Sequence, residues 1–388
     1  MKACFFLILI VIVPYTFSCT SDLSGNNQIR SNVTLSKSST ELKLPLDIST
    51  APKTNCMKYY QTPAGEEYLF FLNKPINSIQ IYDLKHKNLY KKIQIDKQGE
   101  NGMGQIAGLT IKSMDSIFVA SSGRPILYLT DTTGLVKGKL DFRTPVDSRA
   151  PSYSRLVSKY NKDLVFWSDE MILSQPLHLN GRQPTKELLE EHRMFLRIDS
   201  KSGKYQFSPI SMPRDYYKDD QMYSTTYSVA FDGEKLVWSI LCDHSIYFST
   251  DLNNVQKKSA PSTYIDEFMS IKGAASNPYW YFAKNPFYAS IYYDSFREVY
   301  YRFAKHDYDE LNEIGEMQGY YYPPIFSVQI LDKDLNMIGE TAFDGNKYNM
   351  FNAFVGEEGL YISKANPLRE DFNEDFLEFE IYTISDEI

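Results

Sequence analysis

Between Ile106 and Phe142 the chain reads as four short strands in succession: IAGLTIK, a turn at SMD, SIFVAS, a break at SGRP, ILYLTD, a turn at TTG, and LVKGKLDF. Runs of Val, Ile, Leu and aromatic residues this short, each closed by Gly, Pro, Asp or Ser, suit antiparallel strands joined by tight turns. The stretch is one complete β-propeller blade, and copies of it can be laid along nearly the whole chain. This repetition constrains the fold more than any other feature, because a single four-stranded unit cannot bury both its faces alone.

Two registers define the repeat. Leu69, Ile117, Leu164, Leu236, Val299 and Leu360 occupy one equivalent place in the second strand of successive units, and six copies predict six blades. The third strand of each unit stops on an aspartate, at Asp83, Asp131, Asp199, Asp251 and Asp332. Asp suits that place because its side chain accepts a hydrogen bond from backbone two residues on, so these aspartates are turn formers without chemistry. The last unit runs out of chain after its third strand, FLEFEIYTI. A fourth must come from elsewhere, and Thr40–Leu46 (TELKLPL) alternates correctly to supply it. The expected fold is therefore all-β, a six-bladed β-propeller closed by an N-terminal strand completing the last blade, over residues 33–388.

In such a unit the turns after strands one and three lie on one side of the disc, and the loops after strands two and four on the other. The first kind reads as short throughout, as in YNKD, FDGE and GEEG. The long segments, Asp169–Arg193 and Pro261–Tyr288 among them, are all of the second kind. One face thus carries the elaboration, and loops on a rigid scaffold are where binding concentrates.

The N-terminus sets the compartment. Met1 and Lys2 precede an apolar run, ACFFLILIVIV, too short to span a bilayer comfortably, and Ser18-Cys19 follows where cleavage would fall. Residues 1–18 resemble a bacterial lipoprotein signal peptide, which implies that Cys19 is acylated and that residues 19–32 form a flexible tether. The partner so implied is a membrane, the outer membrane of a Gram-negative cell envelope. The whole chain carries 41 basic and 49 acidic residues, and an acidic balance of this size disfavours nucleic acid as a partner. Cys56 and Cys242 read as buried small residues, and no zinc spacing exists.

The polar motifs that might carry chemistry mostly have plainer readings. Pro184–Arg193 reads as a short surface helix. Asp371 to Asp375 starts like a calcium loop but has Phe376 where Gly is needed. Gly99 to Gly104 is followed by a strand rather than a helix, which argues against phosphate binding. No nucleophile motif, metal or cofactor is indicated. What remains is aromatic and Arg enrichment in the long loops: Arg149, Arg182, Arg214, Tyr216, Tyr223, Trp280, Tyr281 and Tyr320 are the candidate binding residues. Flat rings and guanidinium groups suit stacking on sugars or anchoring a protein interface.

With the repeat and signal in view, the chain resembles an uncharacterised family of bacterial six-bladed β-propeller lipoproteins, domain of unknown function 4221, with a TolB-like propeller. The resemblance rests on the Cys19 signal, Gln98–Ser122 (QGENGMGQIAGLTIKSMDSIFVASS) and Leu69–Leu84. It implies a membrane-anchored propeller and supplies no catalytic residues. The leading expectation is a monomeric, non-enzymatic module binding a glycan or envelope protein through its long-loop face. The alternative is a carbohydrate-active or ester-hydrolysing enzyme, with Asp169, Glu170 and Asp266 as the acids converging on the central channel. Two carboxylates facing each other across a cleft would favour the enzyme; a channel mouth closed by Tyr and Phe would favour binding on the rim.

Overall fold

Lysine marks the outer edge of three sheets, and burial falls away towards it. The structure is a computed structural model describing residues 33–144, 156, 160–177, 185–216, 223–270, 278–308 and 315–386. After the first strand, β1 (Val33–Pro45), four four-stranded antiparallel sheets follow in chain order. They are β2 (Met57–Gln61), β3 (Glu67–Asn73), β4 (Ser78–Asp83) and β5 (Asn88–Gln94); then β6 (Ile106–Ser113), β7 (Ser116–Ser121), β8 (Ile126–Thr130) and β9 (Val136–Asp141). The third comprises β10 (Val165–Trp167), β11 (Glu170–Ser174), β12 (Phe195–Asp199) and β13 (Tyr205–Phe207); the fourth β14 (Tyr227–Phe231), β15 (Leu236–Ile240), β16 (Ser245–Ser249) and β17 (Gln256–Ser259). Strands β3, β4 and β7 are buried along almost their whole length, because each is sandwiched between neighbouring sheets. The fourth strands β5, β9 and β17 are largely solvated and carry NLYKKIQ, VKGKLD and QKKS. Charged edges of this kind discourage pairing with another chain.

The remaining strands form one sheet of eight. It contains β18 (Phe287–Asp294), β19 (Val299–Lys305), β20 (Ile325–Leu331), β21 (Met337–Asp344), β22 (Asn349–Gly356), β23 (Gly359–Ser363) and β24 (Phe376–Asp386), ordered β18-β19-β20-β21-β1-β24-β23-β22. Its edge strands β18 and β22 touch, so the sheet nearly closes on itself. The expectation of six separate blades is therefore corrected to four four-stranded sheets and one eight-stranded sheet in a propeller-like arrangement.

The fusion has a local cause. β1 pairs antiparallel with β24 from Val33↔Asp386 to Pro45↔Phe376, interrupted by a bulge between Lys37 and Glu41, and its first residue also pairs, in parallel, with Gly339 of β21. A Cβ at Gly339 would stand 1.9 Å from the Val33 carbonyl oxygen, so only glycine admits this approach. Leu35 N–H then donates to Thr341 Oγ1 at 2.8 Å. Thus β1 does more than complete a final unit; it welds two units together.

A second correction concerns YNKD. Residues 160–163 are not a turn between strands one and two, because β10 begins only at Val165. They lie on the axis instead. Asn161 Nδ2 donates to Val229 O (2.9 Å) and Ile291 O (2.7 Å), tying β14 to β18, while Val229 N–H donates to Asn161 O at 3.1 Å. Leu156 O accepts from Leu109 N–H at 3.1 Å, where Gly108 leaves room that a Cβ would fill. Leu164 accordingly precedes a first strand, and the second strand of this sheet is β11.

The Asp turns form as expected: Asp131 Oδ1 accepts from Thr133 N–H (2.7 Å) and Asp199 Oδ1 from Ser202 N–H (2.6 Å). A short helix, α1 (Lys186–Glu191), forms within the predicted segment, with Thr185 Oγ1 capping it by accepting from Leu188 N–H. Cys56 and Cys242 are both buried and are not bridged to each other.

Candidate binding site

The long-loop face carries two further helices, α2 (Pro278–Lys284) and α3 (Glu316–Tyr321), packed on each other. Around them the aromatic residues converge on the axis. Tyr320 and Tyr160 share a hydroxyl–hydroxyl hydrogen bond of 3.1 Å, and the Tyr320 ring lies 5.4 Å from Phe282 and 6.2 Å from Phe351. Tyr160, just before β10, also meets Phe351 of β22 edge-on at 6.2 Å. This face of the axis is closed by aromatic rings.

Four of the eight loop residues singled out from sequence, Tyr216, Tyr223, Tyr281 and Tyr320, are taken up in packing. Tyr281 is fully buried, its hydroxyl donating to Met269 O at 2.8 Å and lying 3.7 Å from Cys242 Sγ. Tyr216 is buried with its hydroxyl on Ser224 O at 2.5 Å, and Tyr223 packs edge-on against it at 5.9 Å. Burial pushes the Cys242 thiol above its ordinary range, which suits a packing residue rather than a nucleophile. Trp280 is half-buried with the Lys284 ammonium 5.8 Å from its ring, and Arg214 is exposed in a 3₁₀ turn, Arg214–Tyr216. Arg149, Arg182 and Cys19 lie outside the described residues.

The three inspected carboxylates do not converge. Asp169 and Glu170 sit at the tight β10–β11 turn, on the short-turn face, where Asp169 meets Lys201 at 3.0 Å and Glu170 is held by Arg197 at 2.9 Å. Asp266 is exposed in the β17–β18 loop, on the opposite face. None of the three lines either cavity on the axis or beside it. Among the described residues no cluster of His, Cys, Asp and Glu is arranged to hold a metal.

One Ser-His-acid grouping does form, and sequence spacing gave no sign of it. Ser327 Oγ lies 3.0 Å from His306 Nε2 and donates to Glu340 Oε1 at 2.6 Å. The acid holds the serine rather than the histidine, and Ser327 is fully buried, so the order required for nucleophilic attack is absent. Its effect is to pin the loop at Ser262 and Thr263, which also bond Glu340.

Beside the aromatic cap opens a cleft of 610 Å³, between the β1–β2 loop, the end of β3, the start of β22 and the end of α3. Tyr321, Tyr322 and Phe351 form its apolar side, and Tyr321 is 38% exposed where Tyr281 has no exposure. Lys53 and Lys74 line the cleft, with no Asp or Glu among the described lining residues. The Lys53 ammonium lies 3.4 Å from Tyr322 Oη and 5.8 Å from that ring's centre. Asn352, also in the lining, is held by Thr54 O at 2.7 Å, so the floor is rigid. In a chain with an acidic excess, a purely cationic concavity is a local reversal of charge. Local sequence around Lys53 and Lys74 carried one usable signal, the lack of neighbouring acids at residues 51–55 and 73–75.

Fold and site together define an all-β, propeller-like protein with a cationic cleft beside a closed axis. Residues 32–342 match the family described as Domain of unknown function (DUF4221), and the chain belongs to that family. A crystal structure of a DUF4221 member from Bacteroides vulgatus is 28% identical, with a TM-score of 0.82, covering 92% of this chain and all of that one. A Bacteroides fragilis protein thought to be exported shares the fold at 10% identity and a TM-score of 0.54, covering 92% of this chain and 96% of that one. No curated protein matches. No helix of the described residues is long and apolar enough to cross a membrane.

Proposed function

We propose that the protein is a cell-envelope binding module that holds a carboxylate-bearing glycan in the cleft of its long-loop face. The observation that carries this reading is the pairing of Lys53 and Lys74 with an aromatic wall, in a concavity with no carboxylate among its described lining residues. Lysines supply charge to an acid group, exposed Tyr321 supplies a flat face for a sugar ring, and 610 Å³ is ample for two or three sugar units. A concave pocket of this kind fits a small or oligomeric ligand better than a flat protein partner. Anchoring through an acylated Cys19 completes the proposal; two or more acyl chains make attachment lasting, since each buried CH₂ adds about 0.8 kcal/mol.

Calorimetric titration with oligogalacturonate and with its methyl-esterified form tests the cleft. The acid form should bind and the ester should not, with Lys53→Ala and Lys74→Ala each weakening binding; equal affinity for both forms would defeat the reading. Mass spectrometry of the mature N-terminus tests the anchor, which an unmodified start elsewhere than Cys19 would exclude.

A further inference from the structure

The opposite mouth of the axis has no part in that reading, yet it is the more regular of the two. On the short-turn face the first strands of the sheets end around a cavity of 390 Å³. Its rim is Tyr59, Ile111, Phe166, Phe231, Tyr293 and Val355, one residue each from β2, β6, β10, β14, β18 and β22, and all six are half-buried. Asn161 closes the floor from the axis. At that floor Lys58 Nζ lies 2.5 Å from Asp163 Oδ1, and Thr110 Oγ1 donates to the same oxygen at 3.2 Å. The Lys58 side chain is 9% exposed and that of Asp163 33%, so the carboxylate is the accessible partner; both residues line the cavity, and among the described residues none hydrogen-bonds Oδ2.

We infer that this funnel binds a single neutral sugar ring. The floor already balances its own charge. An anion would meet Asp163 and a cation would compete with Lys58, while a zwitterion would have to shed its water and pull apart a close, largely buried pair. Neighbouring hydroxyls of a sugar fit without disturbing it. Each hydroxyl both donates and accepts, so one donates to Asp163 Oδ2 while its neighbour accepts from the ammonium of Lys58, which has donors to spare. The half-buried rings of the rim then face the C–H surfaces of the sugar. A volume of 390 Å³ lies at the small end of ligand pockets, in keeping with a single ring.

Saturation-transfer NMR and calorimetry on the purified full chain, with glucose, galactose, mannose, rhamnose, fucose and N-acetylglucosamine as probes, test the inference. At least one sugar should bind at millimolar concentration. Val355→Trp, which narrows the mouth without touching the floor, and Phe166→Ala, which removes one rim ring, should each weaken it about tenfold with the melting temperature kept. Asp163→Asn should weaken it as well; if that variant fails to fold, the two rim variants decide. Tyr90→Ala, an exposed ring on the outer strand β5, should leave sugar binding unchanged. Absence of transfer from all six sugars, binding that survives Val355→Trp, or preference for glycine or alanine over every sugar would each overturn the assignment.

Discussion

The two ends of the axis are built from the same strands and have become opposites. At the long-loop end, Tyr160, Phe282, Tyr320 and Phe351 close the axis, and the open cleft is displaced to the side and carries unpaired positive charge. At the short-turn end the axis stays open, its rim is apolar and its one ion pair is internal. The difference follows from connectivity. Loops after the second and fourth strands can lengthen freely and reach inward over the axis, whereas the tight turns after the first and third strands cannot. Variation is cheap at one end, and the other is left with what the strands themselves present.

The strongest way to break this comparison removes both ends at once. Deleting residues 33–47 takes away buried Leu35, Leu42 and Leu44 and the strand that pairs with both β21 and β24. At about 2–5 kcal/mol for each buried leucine, the loss rivals the whole stability of a typical domain, so circular dichroism should show no cooperative melt; a truncation that melts like the parent refutes the closure. Next in size is Asn161→Ala, which strips two buried carbonyls of their donor at the partition between the ends. The cost should be about 2–5 kcal/mol in urea unfolding, and a change below about 1 kcal/mol would show that the partition is not structural.

Acid should attack one end first. Burial holds the His306 imidazole down to about 4, so it is neutral in the folded protein while an unfolded histidine titrates near 6.5. The unfolded state therefore binds more protons between those values, and stability is full above pH 6.5 and lost as pH falls towards 4, by about 3 kcal/mol. Hydrogen exchange at pH 4.5 should accelerate in the His306 and Ser327 region before it does around β6 and β7; uniform acceleration would count against it. The smallest effect is Tyr160→Phe, which deletes one hydroxyl from the cap and should cost about 1 kcal/mol while leaving the funnel's sugar binding intact.

How far the sequence disclosed all this depends on the range of each interaction. The third-strand register was readable because the Asp131 and Thr133 contact is made within a few residues and leaves a local mark. The second-strand register slipped at Leu164, since β10 has three residues and the segment before it is buried on the axis, so apolar pattern alone could not separate a strand from a plug. Fusion into eight strands turns on one missing Cβ at Gly339 opposite Val33, a contact between distant segments that no periodicity records. Among the loop aromatics the enrichment was visible but its division was not: Tyr216 and Tyr281 are core, and Tyr321 is surface. The ion pair of Lys58 and Asp163 joins β2 to the segment before β10 and was equally silent.

The pairing of Val33 with Asp386 also fixes where the chain leaves the disc. As the fourth strand of its unit, β1 begins on the side of the short turns and ends beneath the long loops. A leash running from Cys19 to Val33 would therefore pull on the short-turn side. Fully stretched, those fourteen residues reach at most about 50 Å. Under the proposed attachment at Cys19, the open funnel lies on the tethered side of the disc and the cationic cleft on the far side, so the two ends differ in their distance from the point of attachment.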